Sequence, residues 1–322
     1  MKHGKKSFLI IEAVLGVLVI LVLGFIIYKQ NGHEPATIAV IIPDVDESEW
    51  SAFKYGLKMA AREYDANVVI ISKDNMETAN DEIEIMNQEI IKGADAVIVK
   101  PIANRDGQQK PKQLEKNVPI MVVGDTFPEE PSGLHTIEPD HYHMGADLAQ
   151  KLLENYRGNL SGKKIGIYSQ HAASEAVIKR KKGICDTLKG SGAEILWSVS
   201  KENDSKEKIN LQTQRRVDIV MALDNASFVE AGEAAKDNDL YGALLYGIGN
   251  STEAVYYLDA GWAQCLVAPD EFDAGYESVA ELIKKRRNFF YKMKDRQITY
   301  TVLTRENLFS EENRNLLFTI SQ

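Results

Sequence analysis

The chain has 322 residues, 44% hydrophobic and 26% charged, with 38 Lys and Arg against 47 Asp and Glu for a formal net charge of −9. An acidic balance excludes the basic face a nucleic-acid binder needs to displace counterions, and the ordinary composition excludes collagen-like and disordered classes. Two cysteines, Cys185 and Cys265, are too few for a disulfide framework or a structural zinc site, and the length suits two domains.

Charge divides the chain at its start. Lys2, Lys5, Lys6 and Lys29 against Glu12 give a local +3, so the remainder carries −12. Between these lysines Phe8 to Tyr28 form a run of 21 residues with one charge, which as a helix would span roughly 31 Å, close to the hydrocarbon thickness of a bilayer. The run exceeds the apolar core of a signal peptide, and neither an A-x-A site nor a lipid-accepting Cys follows it closely. It reads as an uncleaved transmembrane anchor, and the lysine bias puts the N-terminus in the cytoplasm and the body outside the cell membrane.

After a polar linker from Lys29, strand-like runs TIAVII (37–42), NVVIIS (67–72), DAVIVK (95–100) and PIMVVG (119–124) alternate with helical stripes. Phe53, Leu57, Ala60 and Tyr64 share one face of the first helix, and Ile83, Met86 and Ile90 one face of the second. Asp140 opens a further helix. The pattern restarts with strands at 164–169, 193–198, 217–222 and 243–248 and helices near 172–190, 204–214 and 224–237. A strand at 262–268, a helix at 271–290 and a last strand, ITYTVL (298–303), complete it. Near-continuous apolar strands between amphipathic helices predict an α/β fold with two doubly wound parallel-sheet lobes, whose ligands bind beyond the carboxyl ends of the strands.

The loops at those ends are polar. They carry Asp44, Asp46, Glu47, Glu49 and Trp50, then Asp125 and Thr126, Asp140, His171 and Ser174, Asp224 and Asn225, and Asn250 and Ser251. Each Asp, Asn or Ser also suits an ordinary helix N-cap. The basic runs Lys179–Lys182 and Lys284–Arg287 read as solvated helix faces, Arg180 excepted. Both cysteines read as buried.

Ordered motifs give a more specific reading. IAVIIPDVDESEWSAFKYGLKMAA, GADAVIVKPIA, VPIMVVGD, DHYHMGADLA, KRKKGI, VMALDNASFVEAGEAA, YGIGNSTEA and VLTRENL, in that order, resemble the type I periplasmic binding proteins of the ribose and galactose class from Thr37 to about Leu308. The resemblance implies three chain crossings forming a hinge between lobes at 36–139 plus 268–298 and 140–267 plus 299–322, with residues 1–35 as tip, anchor and linker. It places Trp50 where an aromatic stacks on a pyranose face, Asp125 as an acceptor for sugar hydroxyls, and Asp140 at the first hinge crossing as a further ligand-binding residue. Arg180 reaches the cleft from the helix preceding Gly183, and Asp224 ends its strand where Asn or Asp is common. Thr126 replaces a frequent Arg, Val267 a frequent Gln, and Ile248-Gly249-Asn250 the F-D-G turn, so that the amide of Asn250 substitutes for a carboxylate. The usual facing aromatic has no clear counterpart near Asn203, and nothing in the pattern puts Trp197 or Phe228 in its place.

No P-loop, G-x-S-x-G or H-E-x-x-H occurs, and Gly247-x-Gly249 lacks the third glycine of a dinucleotide fingerprint. His141 and His143 diverge on a helix and lack a third ligand. The sequence therefore predicts a binder without cofactor or metal, not an enzyme. Its expected partners are a sugar-like small molecule, the membrane through residues 8–28, and an ABC permease or, alternatively, a sensor kinase.

Overall fold

The structure is a computed structural model that describes residues 12–24, 35–43, 49–73, 78–101, 118–125, 134–171, 174–200, 209–288 and 290–321. The expectations on Asp44, Asp46, Glu47, Thr126, Asn203 and the linker at 29–34 lie outside these residues. The chain divides into two units, Met1–Ala36 and Thr37–Gln322.

In the first unit residues 12–24 form helix α1, 13 residues long. Among the described residues no helix is long and apolar enough to cross a membrane. The expected span Phe8–Tyr28 continues at both ends outside the described residues, so the helix that is described is about 20 Å long and does not by itself establish a span.

The second unit holds two six-stranded sheets. The first has the order β11-β5-β4-β3-β1-β2, built from β1 (Ala36–Pro43), β2 (Ala66–Lys73), β3 (Ala96–Val99), β4 (Ile120–Val123), β5 (His135–Pro139) and β11 (Arg296–Ile298). The second has the order β12-β10-β9-β8-β6-β7, built from β6 (Lys164–Ser169), β7 (Glu194–Ser200), β8 (Ile219–Ala222), β9 (Leu244–Ile248), β10 (Ala263–Pro269) and β12 (Tyr300–Leu303). Strand β12 runs antiparallel to β10, while β6, β7, β8, β9 and β10 pair in parallel.

Helices cover the sheets: α2 (Ser51–Tyr64), α3 (Ala79–Ile91) and α8 (Glu271–Arg287) the first, and α4 (His141–Asn155), α5 (Glu175–Thr187), α6 (Asn225–Lys236) and α7 (Thr252–Asp259) the second. Burial on both faces is why these strands read as apolar throughout. In the second sheet Ile167, Met221 and Ile248 join Leu148 and Ile184 from α4 and α5 on one face. The alternate residues Tyr168, Val220 and Leu245 join Phe228 and Leu258 from α6 and α7 on the other. The predicted stripe on α2 is confirmed, with Phe53, Leu57 and Ala60 fully buried.

Close helix contact requires glycine where α4 crosses α5. A Cβ on Gly183 of α5 would lie 2.1 Å from Tyr142 O of α4, and one on Gly145 of α4 would lie 2.0 Å from Arg180 O. The pair lets the two helices touch at their backbones and fixes where α5 carries Arg180.

The chain passes between the sheets three times. After β5 and again after β10 the passage reads Pro-Asp, with Pro139 and Pro269 closing the strands and Asp140 and Asp270 capping α4 and α8. The third passage divides ITYTVL, expected as one strand, into the end of β11 and the whole of β12. The break falls at Thr299, whose carbonyl accepts from Asp270 N at 2.9 Å, so the residue serves the neighbouring crossing instead of a ladder. The bond from Asp270 N to Thr299 O ties the second and third crossings together.

Two further expectations are corrected. The helix expected at 204–214 is, in its described part, only the 3-10 turn Leu211–Thr213, where Asn210 accepts from Gln212 N. The basic run at 284–287 is not simply solvated: Arg287 donates to Tyr64 O at the end of α2, Arg286 pairs with Asp95, and Lys284 pairs with the buried Glu281. Helix α9 (Arg314–Ile320) was not foreseen. Its Leu316 and Leu317 pack on the second lobe's core, while Phe318 meets Tyr55 of α2 edge to face at 6.2 Å. Cys265 is buried and Cys185 half-buried, and both are free thiols.

Candidate functional site

A cavity of ≈ 160 Å³ lies between the sheets, at the carboxyl ends of the strands. Trp50, Asp125, Arg180, Asp224 and Asn250 all line it. Asp140 is not among the lining residues; its carboxylate caps α4 by accepting from His143 N at 3.0 Å and contacts His143 Nδ1 at 2.7 Å. Trp197 and Phe228 lie outside the cavity: Trp197 donates to Arg215 O, and Phe228 is fully buried in the second lobe's core.

Asp125 follows β4 and reaches across to the other lobe. It accepts from Ser174 Oγ at 2.6 Å and from Ala176 N at 3.0 Å, while Ser174 caps α5 by accepting from Val177 N. A carboxylate there satisfies an orphan N–H and faces the positive end of the helix dipole. On the opposite rim Asn250 Nδ2 donates to Glu49 O at 3.1 Å. The Asn225 amide oxygen holds the loop in place by accepting from the backbone N–H groups of Asn250 and Ser251. Two direct hydrogen-bonded contacts thus join the lobes around the cavity.

Arg180 is half-buried, donating through Nη1 to Leu223 O at 2.8 Å and through Nε to His141 Nδ1 at 3.3 Å. Burial lowers its pKa, against the pull of Asp224, Asp125, Glu271 and Glu49. An arginine stays charged under such pressure, so it is a fixed cation. Burial and the neighbouring guanidinium together push His141 below its usual range.

Asp224 caps α6 in a reciprocal box with Ser227 and accepts from Gln170 N at 2.9 Å. Burial alone would raise its pKa, but His171 and these two N–H donors outweigh it, and the carboxyl is held low. For His171, burial works against protonation, yet Asp224 at 3.7 Å prevails and the imidazole is raised.

Trp50 is 2% exposed, and its Nε1 has no hydrogen-bond partner among the described residues. Lys100 Nζ stands over the ring, 4.1 Å from its centroid. A sugar stacking on that face therefore has to displace an ammonium group. Lys100 and Glu271 are the cavity residues the sequence reading missed. Lys100 directly follows β3, and Glu271 follows the second Pro-Asp passage, so strand-end position alone would have found both. Glu271 is 6% exposed, and burial raises its pKa.

The arrangement can enclose a small polar molecule, and among the described residues there is no group of three or more potential metal ligands. Solved structures share the fold. A carbohydrate transporter solute binding protein from Agrobacterium radiobacter, in complex with D-arabinose, superposes with a TM-score of 0.75 at 15% identity, over 88% of this chain and 99% of its own. GanP, a glucose-galactose binding protein from Geobacillus stearothermophilus, gives 0.71 at 14% over 86% and 99%. XylFII in a XylFII-LytSN complex gives 0.69 at 13% over 84% and 98%. A search of curated proteins finds no match. Residues 38–286 match the periplasmic binding protein domain family, and with two wound sheets, three crossings and a polar cavity between them the chain belongs to that family.

Proposed function

We propose that this chain is a solute-binding protein that traps a sugar or sugar-like molecule between its lobes and delivers it to an ABC permease. One observation carries the reading: polar groups from both lobes converge on a single cavity whose rims are hydrogen-bonded across the cleft by Asp125 and Asn250. Relatives in complex with D-arabinose and alpha-D-tagatopyranose support the sugar class. Trp50, Asp125, Arg180, Asp224 and Asn250 contact the ligand, and Asp140 acts at the hinge. The lobes, 36–139 plus 268–298 and 140–267 plus 299–322, close by a hinge motion. Residues 8–28 anchor the chain in the cell membrane, with the body outside. Binding proceeds without catalysis.

A second reading, a ligand sensor coupled to a membrane receptor or histidine kinase, is favoured by the XylFII-LytSN complex among the structural relatives. Thermal-shift and calorimetric screening of the detergent-solubilised full chain against a carbohydrate panel tests the sugar reading. A specific response lost in Trp50→Ala and Asp125→Ala supports the site; binding untouched by both changes overturns it. Neighbouring permease and ATPase genes, or a kinase and response regulator, separate the two roles.

A further inference from the structure

Charge in the cavity is unevenly settled. Four carboxylates line it, Glu49, Asp125, Asp224 and Glu271, against the fixed cations Lys100 and Arg180 and the titrating His171. Two carboxylates are engaged: Asp125 by Ser174 and Ala176, and Asp224 by Ser227, Gln170 and His171. Arg180 is held by Leu223 O and His141, and Lys100 lies on the indole face of Trp50. Glu271 and Glu49 accept no side-chain hydrogen bond from, and form no ion pair with, any described residue, although Glu271 is 94% buried by its 6% exposure. Both carboxylates line the cavity, and a ligand that brings them donors gains charge-assisted hydrogen bonds.

Resting on the sugar reading, we propose that the cleft selects a polyhydroxylated ligand carrying a protonated amine, of the hexosamine kind, over neutral and acidic sugars. The ammonium pairs with Glu271 and Glu49. An acidic sugar would add an anion to a lining that already has an excess of carboxylates. A neutral sugar would supply donors to Glu271 but leave that excess in place.

The test is calorimetry on the full chain with D-glucosamine, N-acetyl-D-glucosamine, D-glucose and D-glucuronate. D-glucosamine is expected to bind at least tenfold more tightly than the other three. Glu271→Gln should erase most of that preference, Glu49→Gln should reduce it, and Lys100→Met should tighten D-glucosamine by removing a competing cation. Equal or tighter binding of D-glucose or D-glucuronate overturns the inference while leaving the sugar reading intact. So does a preference for D-glucosamine that survives both glutamate substitutions. Failure of all four sugars to bind a chain shown by circular dichroism to be folded defeats the inference and counts against the sugar reading itself.

Discussion

Asp125 and Ser174 sit in different lobes and share a 2.6 Å hydrogen bond, in which a carboxylate two residues beyond β4 accepts from the residue that caps α5. With Ala176 N as a second donor, one carboxylate both seals the cleft and completes a helix terminus in the opposite lobe. Closure is thereby written into the capping chemistry of α5.

Removing that carboxylate should loosen the closed form more than the fold. Hydrogen bonds to charged groups contribute about 1.5–3 kcal/mol, so Asp125→Ala is expected to weaken ligand binding by roughly tenfold or more. Small-angle scattering should show a larger radius of gyration, with little change in circular dichroism. An unchanged radius and affinity would show that closure does not depend on this contact.

The His171–Asp224 pair sets two limbs of a pH profile. The folded pKa of His171 is raised, so its contribution is fully present below the unfolded value of about 6.5 and lost as pH rises through the folded one. Asp224 is depressed, so its contribution is present above about 3.9 and lost as pH falls through its folded pKa. His171→Gln should flatten the decline in Tm above neutrality and leave most of the acid limb. Melting curves from pH 4 to 9 on both proteins check this.

Glu271 carries the opposite sign for a carboxyl group. Its pKa is raised by burial, so ionisation works against folding at neutral pH. Glu271→Gln is expected to raise Tm at pH 7.5 and to lose that advantage toward pH 4. A variant that is both less stable and indifferent to pH would contradict this account of the carboxylate.

Gly183→Ala forces a Cβ to within 2.1 Å of Tyr142 O, backbone that cannot swing away. Overpacking of this kind costs typically 1–3 kcal/mol, and the displaced α5 carries Arg180 and Ser174 with it. Stability and affinity should therefore fall together, measured by denaturant melts and calorimetry. Gly190→Ala, in open space though at a positive φ of 79°, should cost stability alone.

Much of the architecture was legible because its physics is local. Apolar runs such as IAVII and KIGIYS became central strands, and Asp140, Ser174, Asp224 and Ser251 became caps where a polar residue precedes a helical stripe. Trp50, Asp125, Arg180, Asp224 and Asn250 converge on one cavity because strand-end loops meet there. What the residues could not reveal was pairing at a distance. Nothing in the run around Lys100 shows that its ammonium covers Trp50, and nothing in ITYTVL shows that Thr299 is given up to Asp270. Those outcomes depend on the meeting of segments 50 and 29 positions apart along the chain.

Helix α9 has its own consequence. Leu316 and Leu317 are seated in one lobe while Phe318 touches Tyr55 in the other, so α9 bridges the two lobes as a strap. Parting the two rings costs about 0.5–1.5 kcal/mol, a resistance that any opening has to overcome. A reporter dye placed at position 318 should therefore read the motion directly, whereas a bulky fusion at that end would bias the very equilibrium it was meant to observe.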